Sequence, residues 1–484
     1  MWDGILTGID TALSLQNLGW VTLGCLAGTF IGMLPGLGPI SAIALMIPIS
    51  YGLEPASGLI MMAGVYYGAV FGGSTSSILI NAPGVASTVA TAFDGYPMAQ
   101  RGEAGRALAI AAYASFVGGT LGAVLLLVFA GFLAAVALHF QSPEYFLLMV
   151  FALISVTVLA ERGAVLKSTI TALLGLMLAT VGTDQGAGVP RFTFGQLELI
   201  DGISFVLVAM ASFALGEALR LAGREDTQEA PRIGDKVLLT REDMTGLVPT
   251  IGRSSLLGFL VGVLPGAGAT LASFFAHDLE KRVGKGDPEP GDPARVAAPE
   301  AANNAACTGS FVPLLTLGVP GSGTTAVLLG VMVAYGIQPG PRLPVDQPEV
   351  FWGVIVSMYL GNLVLLALNL PLIPYLAKLI QISRQVLIPF VLLFALLGVY
   401  LTSMSVFDLY LMIGIAVLAL ALRLFDFPLA PLLLGFILGG MLEDNLRRTL
   451  LLYDSSLDFL WDRPQSLAIA LMCVGALCLP IFRR

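Results

Sequence analysis

Apolar stretches of about 18 residues or more, the length at which a helix crosses the hydrocarbon of a bilayer, follow one another along almost the whole chain with short polar connections between them. The pattern predicts an all-α polytopic membrane protein with about 10 to 14 embedded segments. Plain apolar runs at residues 107–138, 145–160, 165–181 and 203–221, and again at 350–379, 386–401, 407–424, 429–442 and 467–481, read as scaffold. Other segments are interrupted. Residues 28–39 read GTFIGMLPGLGP, and GFLVGVLPGAG returns at residues 258–268, so that Pro35 matches Pro265. Residues 72–91 read GGSTSSILINAPGVASTVAT and break at Pro83-Gly84. TGSFVPLLTLGVPGSGTTAVLLG at residues 308–330 echoes them, with Pro320-Gly321 in the same place.

A proline lacks the N–H that a helix interior needs and its ring clashes with the preceding turn, while glycine reaches dihedrals that other residues avoid. Unpaired backbone groups are costly in hydrocarbon, so a break at membrane depth must be buried in protein or face a water-filled cavity. Paired interruptions in two halves of one chain point to the binding site of a transporter. The repeat gives a division into a first transmembrane unit at 1–222 with broken elements at 28–53 and 71–92, a charged linker at 223–253, a second unit at 254–448 with broken elements at 258–276 and 309–338, and a C-terminal transmembrane segment at 449–484. LGEALR at residues 215–220 and LEDNLR at 442–447 mark corresponding ends of the two units. Arg224, Arg232, Lys236, Arg241 and Arg253 favour a cytoplasmic linker, and the loop carrying Lys281, Arg282, Lys285 and Arg295 is basic as well. Both reach the same side only if residues 255–276 enter the membrane and return, so inverted repeats with re-entrant hairpins are the expected arrangement.

Composition narrows the function classes. Only 12% of residues are charged, where soluble domains carry about 25%, and the mean hydropathy is +0.87. The net charge of −8 gives no basic footprint for nucleic acid. Two histidines, His139 and His277, are too few for a zinc cluster or a His-based catalytic constellation. The four cysteines, Cys25, Cys307, Cys473 and Cys478, sit in apolar or small-residue surroundings and read as packing residues. The start MWDGILTGID lacks a basic n-region, so the first apolar segment is expected to stay in place. Neither an enzyme nor a bound cofactor is expected. Gly321-Ser322-Gly323 imitates part of a dinucleotide fingerprint, but it lies in a near-chargeless apolar block rather than a βαβ unit.

The chemistry expected of the breaks follows from what they lack. Residues 28–50, 71–92, 258–276 and 309–338 contain no Asp, Glu, Lys, Arg or His. A charged substrate there has only dipoles to hold it. Helices starting at Gly36, Gly84, Gly266 or Gly321 would present free N–H groups and a positive dipole end to a carboxylate. Carbonyls freed before Pro35, Pro83, Pro265 and Pro320, with nearby hydroxyls, suit Na+. A proton-coupled mechanism prefers a carboxylate at the breaks, so Na+ is expected ahead of H+. If residues 74–81 are helical, Ser74, Ser77 and Asn81 share a face. Single hydroxyls more often bond back to their own helix, but Ser74, Thr75, Ser76, Ser77, Ser87, Thr88 and Thr91 cluster beside a duplicated break. The candidate ligands are Gly36, Gly38, Ser74, Thr75, Ser77, Asn81 and Gly84 in the first unit. In the second they are Gly266, Gly268, Asn303, Asn304, Gly321, Ser322, Gly323, Thr324 and Thr325. For Asn303 and Asn304, helix capping or loop bonding is an equal alternative. Gly28, Gly32, Gly258 and Gly262 read as helix-packing seams. Of Glu217, Asp408, Glu443 and Asp444, the acids nearest the apolar segments, the reading is that they mark helix ends.

GMLPGLGP (32–39), GGSTSSILINAPG (72–84), DGYPMAQRGEAGRAL (94–108), GVLPGAG (262–268), PEAANNA (299–305) and VPGSGTTA (319–326) together resemble the large membrane subunit of the tripartite tricarboxylate transporters, the TctA family. The resemblance spans nearly the full length. It implies a bacterial inner-membrane permease that works with a small membrane subunit of about four helices and a periplasmic solute-binding protein. Such a permease imports carboxylates in a secondary, cation-driven process. The longest hydrophilic stretches of this chain are too short to form a capture domain of their own, in keeping with a separate binding protein. An anion channel is the alternative; it shares broken helices but needs a continuous lined pore.

Overall fold

Hydrocarbon offers backbone groups no partner, so each apolar stretch pairs its own N–H and C=O groups by closing into a helix. The computed structural model describes residues 2–34, 36–158, 164–184, 186–222, 239, 241–266, 268–284, 290–379 and 384–482. In chain order the first part holds α1 (Trp2–Leu13), α2 (Leu15–Met33), α3 (Pro39–Ser50), α4 (Pro55–Ile80), α5 (Val89–Met98), α6 (Ala104–Ala137), α7 (Ser142–Val158), α8 (Val165–Ala179) and α9 (Phe205–Ala222). The second holds α10 (Arg241–Val263), α11 (Gly268–Val283), α12 (Pro293–Gly309), α13 (Phe311–Leu317), α14 (Gly323–Ala334), α15 (Pro348–Leu379), α16 (Arg384–Ser403), α17 (Val406–Leu424), α18 (Ala430–Leu452) and α19 (Pro464–Phe482). Among the described residues six spans are long and apolar enough to cross a membrane, and shorter apolar helices such as α3, α7 and α14 lie between them. The protein is a helical multi-pass membrane protein. Among the described residues two short strands, β1 (Gly182–Thr183) and β2 (Pro190–Arg191), pair antiparallel between α8 and α9.

Several expected connections are helical. Residues 93–106, polar and glycine-bearing, continue α5 through a π-turn at Ala99–Glu103, kinked at Gly102 (φ 85°), into α6. The loop expected at 277–300 is confined to the stretch between α11 and α12. Residues 241–253 of the expected linker belong to α10; residues 223–238 lie outside the described residues. The arm after the first break, α3, has 12 residues, about 18 Å. It crosses only part of the bilayer.

Two helix pairs carry the breaks, and small residues bring each pair together. A side chain on Gly28 or Gly32 of α2 would strike the carbonyl oxygens of Val65 and Ala69 on α4, while Gly64, Gly68 and Gly72 of α4 abut Val21, Cys25 and Thr29 of α2. In the second half Gly258 and Gly262 of α10 meet the carbonyls of Ala302 and Ala306 on α12 in the same way, and Gly309 abuts Phe259. Between helices in lipid, where apolar burial gives no net drive, such backbone approach is what packing rests on.

The last helix is fastened by a buried ion pair. Glu144 in the first turn of α7 accepts from Arg463 Nε at 2.6 Å, from the Ser466 hydroxyl and from the Gln141 N–H. Arg463→Ala leaves that carboxylate buried without its cation, which costs about 3–5 kcal/mol. The expected result is a lower melting temperature of the purified protein and proteolysis ahead of α19 at temperatures the parent resists.

Candidate functional site

The breaks form where the residues require them. Helix α2 stops at Met33, and the chain turns through Gly36 at φ 91°. It re-enters helix at Pro39 with Gly38 as N-cap, a position where the missing proline N–H costs nothing. Helix α4 stops at Asn81, left-handed at φ 49°, a conformation asparagine tolerates better than most residues. After Pro83-Gly84 a 3₁₀ turn at Ala86–Thr88 leads into α5. In the second half Gly266 (φ 80°) and Gly268 (φ 59°) turn the chain into α11. Gly318 (φ 67°) ends α13 ahead of Pro320, and Ser322 caps α14. Pro35 itself lies outside the described residues.

All four interruptions meet. Gly84 sits against the carbonyl of Gly32, and a side-chain carbon added to Gly38 would come 3.9 Å from Gly84 O. Gly266 N donates to Gly321 O at 3.0 Å, Gly321 lies against Gly262 O, and Gly268 faces Ser322. The halves are then crossed: Gly323 of α14 lies over Ile40 of α3, while α11 packs on the turn at Ala86–Thr88 and on α5. Thus the helix following the first break of each half packs on the segment following the second break of the other. Tyr66 of α4 reaches Ser310, Ser322 and Cys307, and Tyr67 donates to Thr308 Oγ1 at 3.2 Å. These two tyrosines tie the first polar element to the second.

Several candidate ligands are engaged inside the protein. Gly84 N donates to Ser76 Oγ, and Ser77 Oγ pairs with Thr88 Oγ1 at 2.7 Å and donates to Gly73 O. Ser322 and Thr325 form a reciprocal capping box over the start of α14. The helices begin at Pro39, Val89, Gly268 and Gly323 rather than at the expected Gly36, Gly84, Gly266 and Gly321, and the Gly84 and Gly266 N–H groups are already bonded. The start of α3 has no side-chain cap, since Gly38 offers none to Ile40 and Ser41, and the start of α5 at Val89 has none either. Asn81 is exposed, off the buried face of Ser74 and Ser77. Thr75 lines a void of about 10 Å³ together with Phe71, Ser74, Leu108 and Ser115, room for one water. Thr324 is buried in the first turn of α14.

The broken segments carry no charged residue of their own, but a carboxylate lies against them. Glu300 lies in the interior of α12, wholly buried. Its Oε2 accepts from Ser74 at 2.8 Å and from Ser115 of α6 at 2.9 Å, and its Oε1 accepts from Thr91 at 2.6 Å. Two hydroxyls of the first polar element are therefore spent on a carboxylate of the second half. Asn303 and Asn304 sit in the same helix, fully buried, not in a loop or cap. Asn304 Nδ2 donates to Glu300 O at 3.0 Å, while Asn304 Oδ1 and Asn303 Nδ2 have no hydrogen-bond partner. Glu300 escaped the sequence reading because it ends a charged stretch taken for a loop. The signal was present in Glu300, Asn303, Asn304, Cys307 and Thr308, polar positions at helical spacing in an alanine-rich run.

A second charged group stands behind Gly36. Arg220 Nη2 and Glu217 Oε1 of α9 are its nearest neighbours. Glu217, 1% exposed, accepts from Arg220 Nε at 2.9 Å and also pairs with Arg423 of α17. Glu217 is thus a buried hub rather than a helix-end marker. At the other unit's end Glu443 pairs with Arg191 and Arg447.

A protein of Agrobacterium vitis described as "Uncharacterized 52.8 kDa protein in TAR-I ttuC' 3'region" is 43% identical over 98% of this chain and 94% of its own length. A second from the same organism, "Uncharacterized protein in TAR-II ttuC' 3'region", is 42% identical over 47% of this chain and 96% of its own. No solved structure matches the chain. The model of the Tripartite tricarboxylate transporter TctA family matches residues 18–434, and the chain belongs to that family, as a membrane subunit of a system with further subunits.

Proposed function

We propose that the chain is the large permease subunit of a binding-protein-dependent secondary transporter that imports carboxylates across the bacterial inner membrane. The observation that carries this reading is the convergence of four helix breaks from two halves on one place, crossed so that each half contributes to the surroundings of the other. A carboxylate is received at the uncapped start of α3, where N–H groups and the helix dipole favour negative charge, with the start of α11 opposite. Gly36, Gly38, Gly268 and Gly323 let the backbone approach it. The inverted relation of the two halves, and alternating access by movement of the break-bearing hairpins against the plain helices, belong to the same proposal. A small membrane subunit and a periplasmic solute-binding protein complete the system. Uptake is driven by a cation gradient; the preference for Na+ rested on the lack of a carboxylate at the breaks, and Glu300 removes that ground.

The test is uptake of labelled citrate and other organic acids into liposomes holding this chain and its small partner, with the binding protein added. Accumulation above the outside concentration is expected only with a cation gradient and all three components present. Gly321→Val, which would press on Ser310 and the Gly262 carbonyl, is expected to cut uptake at least tenfold while the chain still reaches the membrane. Downhill flux without a gradient, accompanied by single-channel currents, would instead establish an anion channel.

A further inference from the structure

We propose that Glu300 takes up and releases the coupling proton of this carrier; its role in transport rests on the reading above, its protonation does not. The carboxylate is wholly buried, and its side-chain partners are the hydroxyls of Ser74, Thr91 and Ser115. Among the described residues no lysine, arginine or histidine pairs with it. The nearest titratable group on its own helix is the neutral thiol of Cys307, and the ion pairs on the elements around it are made with other partners. Asp94 of α5 pairs with His277 of α11 and faces Arg295, at the start of α12. Arg253 of α10 pairs with Glu280 of α11, and Arg106 of α6 pairs with Glu103. On α4 Tyr67 is bonded to Thr308, and Cys307 lies toward Tyr66. An isolated buried carboxylate is costly as an ion, and the usual remedy is to bind a proton.

The hydroxyls around Glu300 accommodate either state. In the ionised form Ser74 and Ser115 donate to Oε2 and Thr91 to Oε1. A proton from the aqueous phase enters through a water in the void that Ser74, Thr75 and Ser115 line: the water, re-protonated from that phase, gives a proton to Ser74 Oγ as Ser74 passes its own hydrogen to Oε2, and the new O–H donates to Ser74 Oγ. The Ser74 hydrogen then turns to Val70 O, 3.3 Å away; Ser115 and Thr91 keep their bonds. Loss of the proton to the same water reverses each step, so no hydroxyl is stranded in either state. The oxygens meet at 2.6–2.9 Å as direct hydrogen bonds, and the void beside them is sized for one water, which favours a proton over an alkali ion lodged between carboxylate and hydroxyls. Because Ser74 and Thr91 flank the Pro83-Gly84 break while Glu300 belongs to the second half, protonation is registered where the two halves meet.

The test needs no transported substrate. Infrared difference spectra of the full-length chain in lipid nanodiscs are recorded between acidic and alkaline buffer, in choline and in Na+ salts. The proposal expects a carboxylic-acid C=O band that disappears as pH rises, is unaltered by Na+ and is missing in Glu300→Gln. If that variant fails to fold, as judged by its melting curve, Glu300→Asp is expected to shift the band instead. A spectrum identical in the parent and in whichever variant folds overturns the proposal. So does a carboxylate that stays ionised at every pH with ²²Na+ binding lost in the variant, which would make this a sodium site. Failure of every organic acid to enter vesicles would sink the carrier reading and leave the titration of Glu300 standing, so the two failures are told apart.

Discussion

Gly84→Leu is expected to abolish uptake and to reduce the folded chain recovered from the membrane, whereas Gly19→Leu is expected to do neither. A first side-chain carbon on Gly84 would come 2.0 Å from the Gly32 carbonyl oxygen, with Ser76 Oγ close behind. Neither neighbour can yield: Gly32 is itself pressed on the Ala69 carbonyl, and the Gly84 N–H is held by Ser76. Overpacking of this kind costs about 1–3 kcal/mol where side chains can shift, and more is expected where the obstacle is backbone on both sides. Gly19 lies on α2, the helix of Gly32, with nothing within 4 Å of its added carbon. The pair therefore separates the effect of a leucine where there is room for it from the effect of filling the break, with membrane-fraction fluorescence and liposome uptake as readouts.

Glu217→Ala should produce the second large effect. Glu217 is the shared partner of Arg220 and Arg423, and the Arg423 side chain is only 18% exposed. Removing the acid leaves two cations side by side in a poorly solvated place, with Ser212 O and the Phe213 ring as the remaining contacts of Arg423. Breaking a buried pair from one side costs about 3–5 kcal/mol. Since Gly36 rests on this group, the turn before α3 is expected to loosen as well. Thermal melting of the purified protein checks the size of the loss, and Glu217→Ala combined with Arg423→Met should recover most of it. A loss below about 1 kcal/mol, the range of an exposed pair, would mean that the hub is solvated.

The sequence carried the breaks and their duplication plainly, because proline and glycine act through local backbone geometry and need no knowledge of what packs on them. The seams at Gly28, Gly32, Gly258 and Gly262 were legible for the same reason. Glu300 was not. Its meaning depends on Ser74, Thr91 and Ser115, which are remote in sequence and become neighbours only when α12 packs against α4, α5 and α6. Asn81 does not share the helical face of Ser74 and Ser77 because α4 ends at Ile80 and Asn81 is its exposed, left-handed cap. The open N–H groups were assigned to Gly84 and Gly266 without reckoning on Ser76 and Gly321, acceptors that tertiary packing supplies.

The central claim is that the meeting point of the breaks receives the transported acid. With Cys25, Cys307, Cys473 and Cys478 replaced by alanine, a cysteine at Ser322 stands beside Gly268, across from the start of α3. In proteoliposomes that retain uptake, its modification by a small water-soluble thiol reagent should slow at least tenfold under saturating concentrations of the transported acid and remain unchanged under an acid that is not transported. Equal labelling rates with and without that acid, in vesicles still accumulating it, would contradict the account.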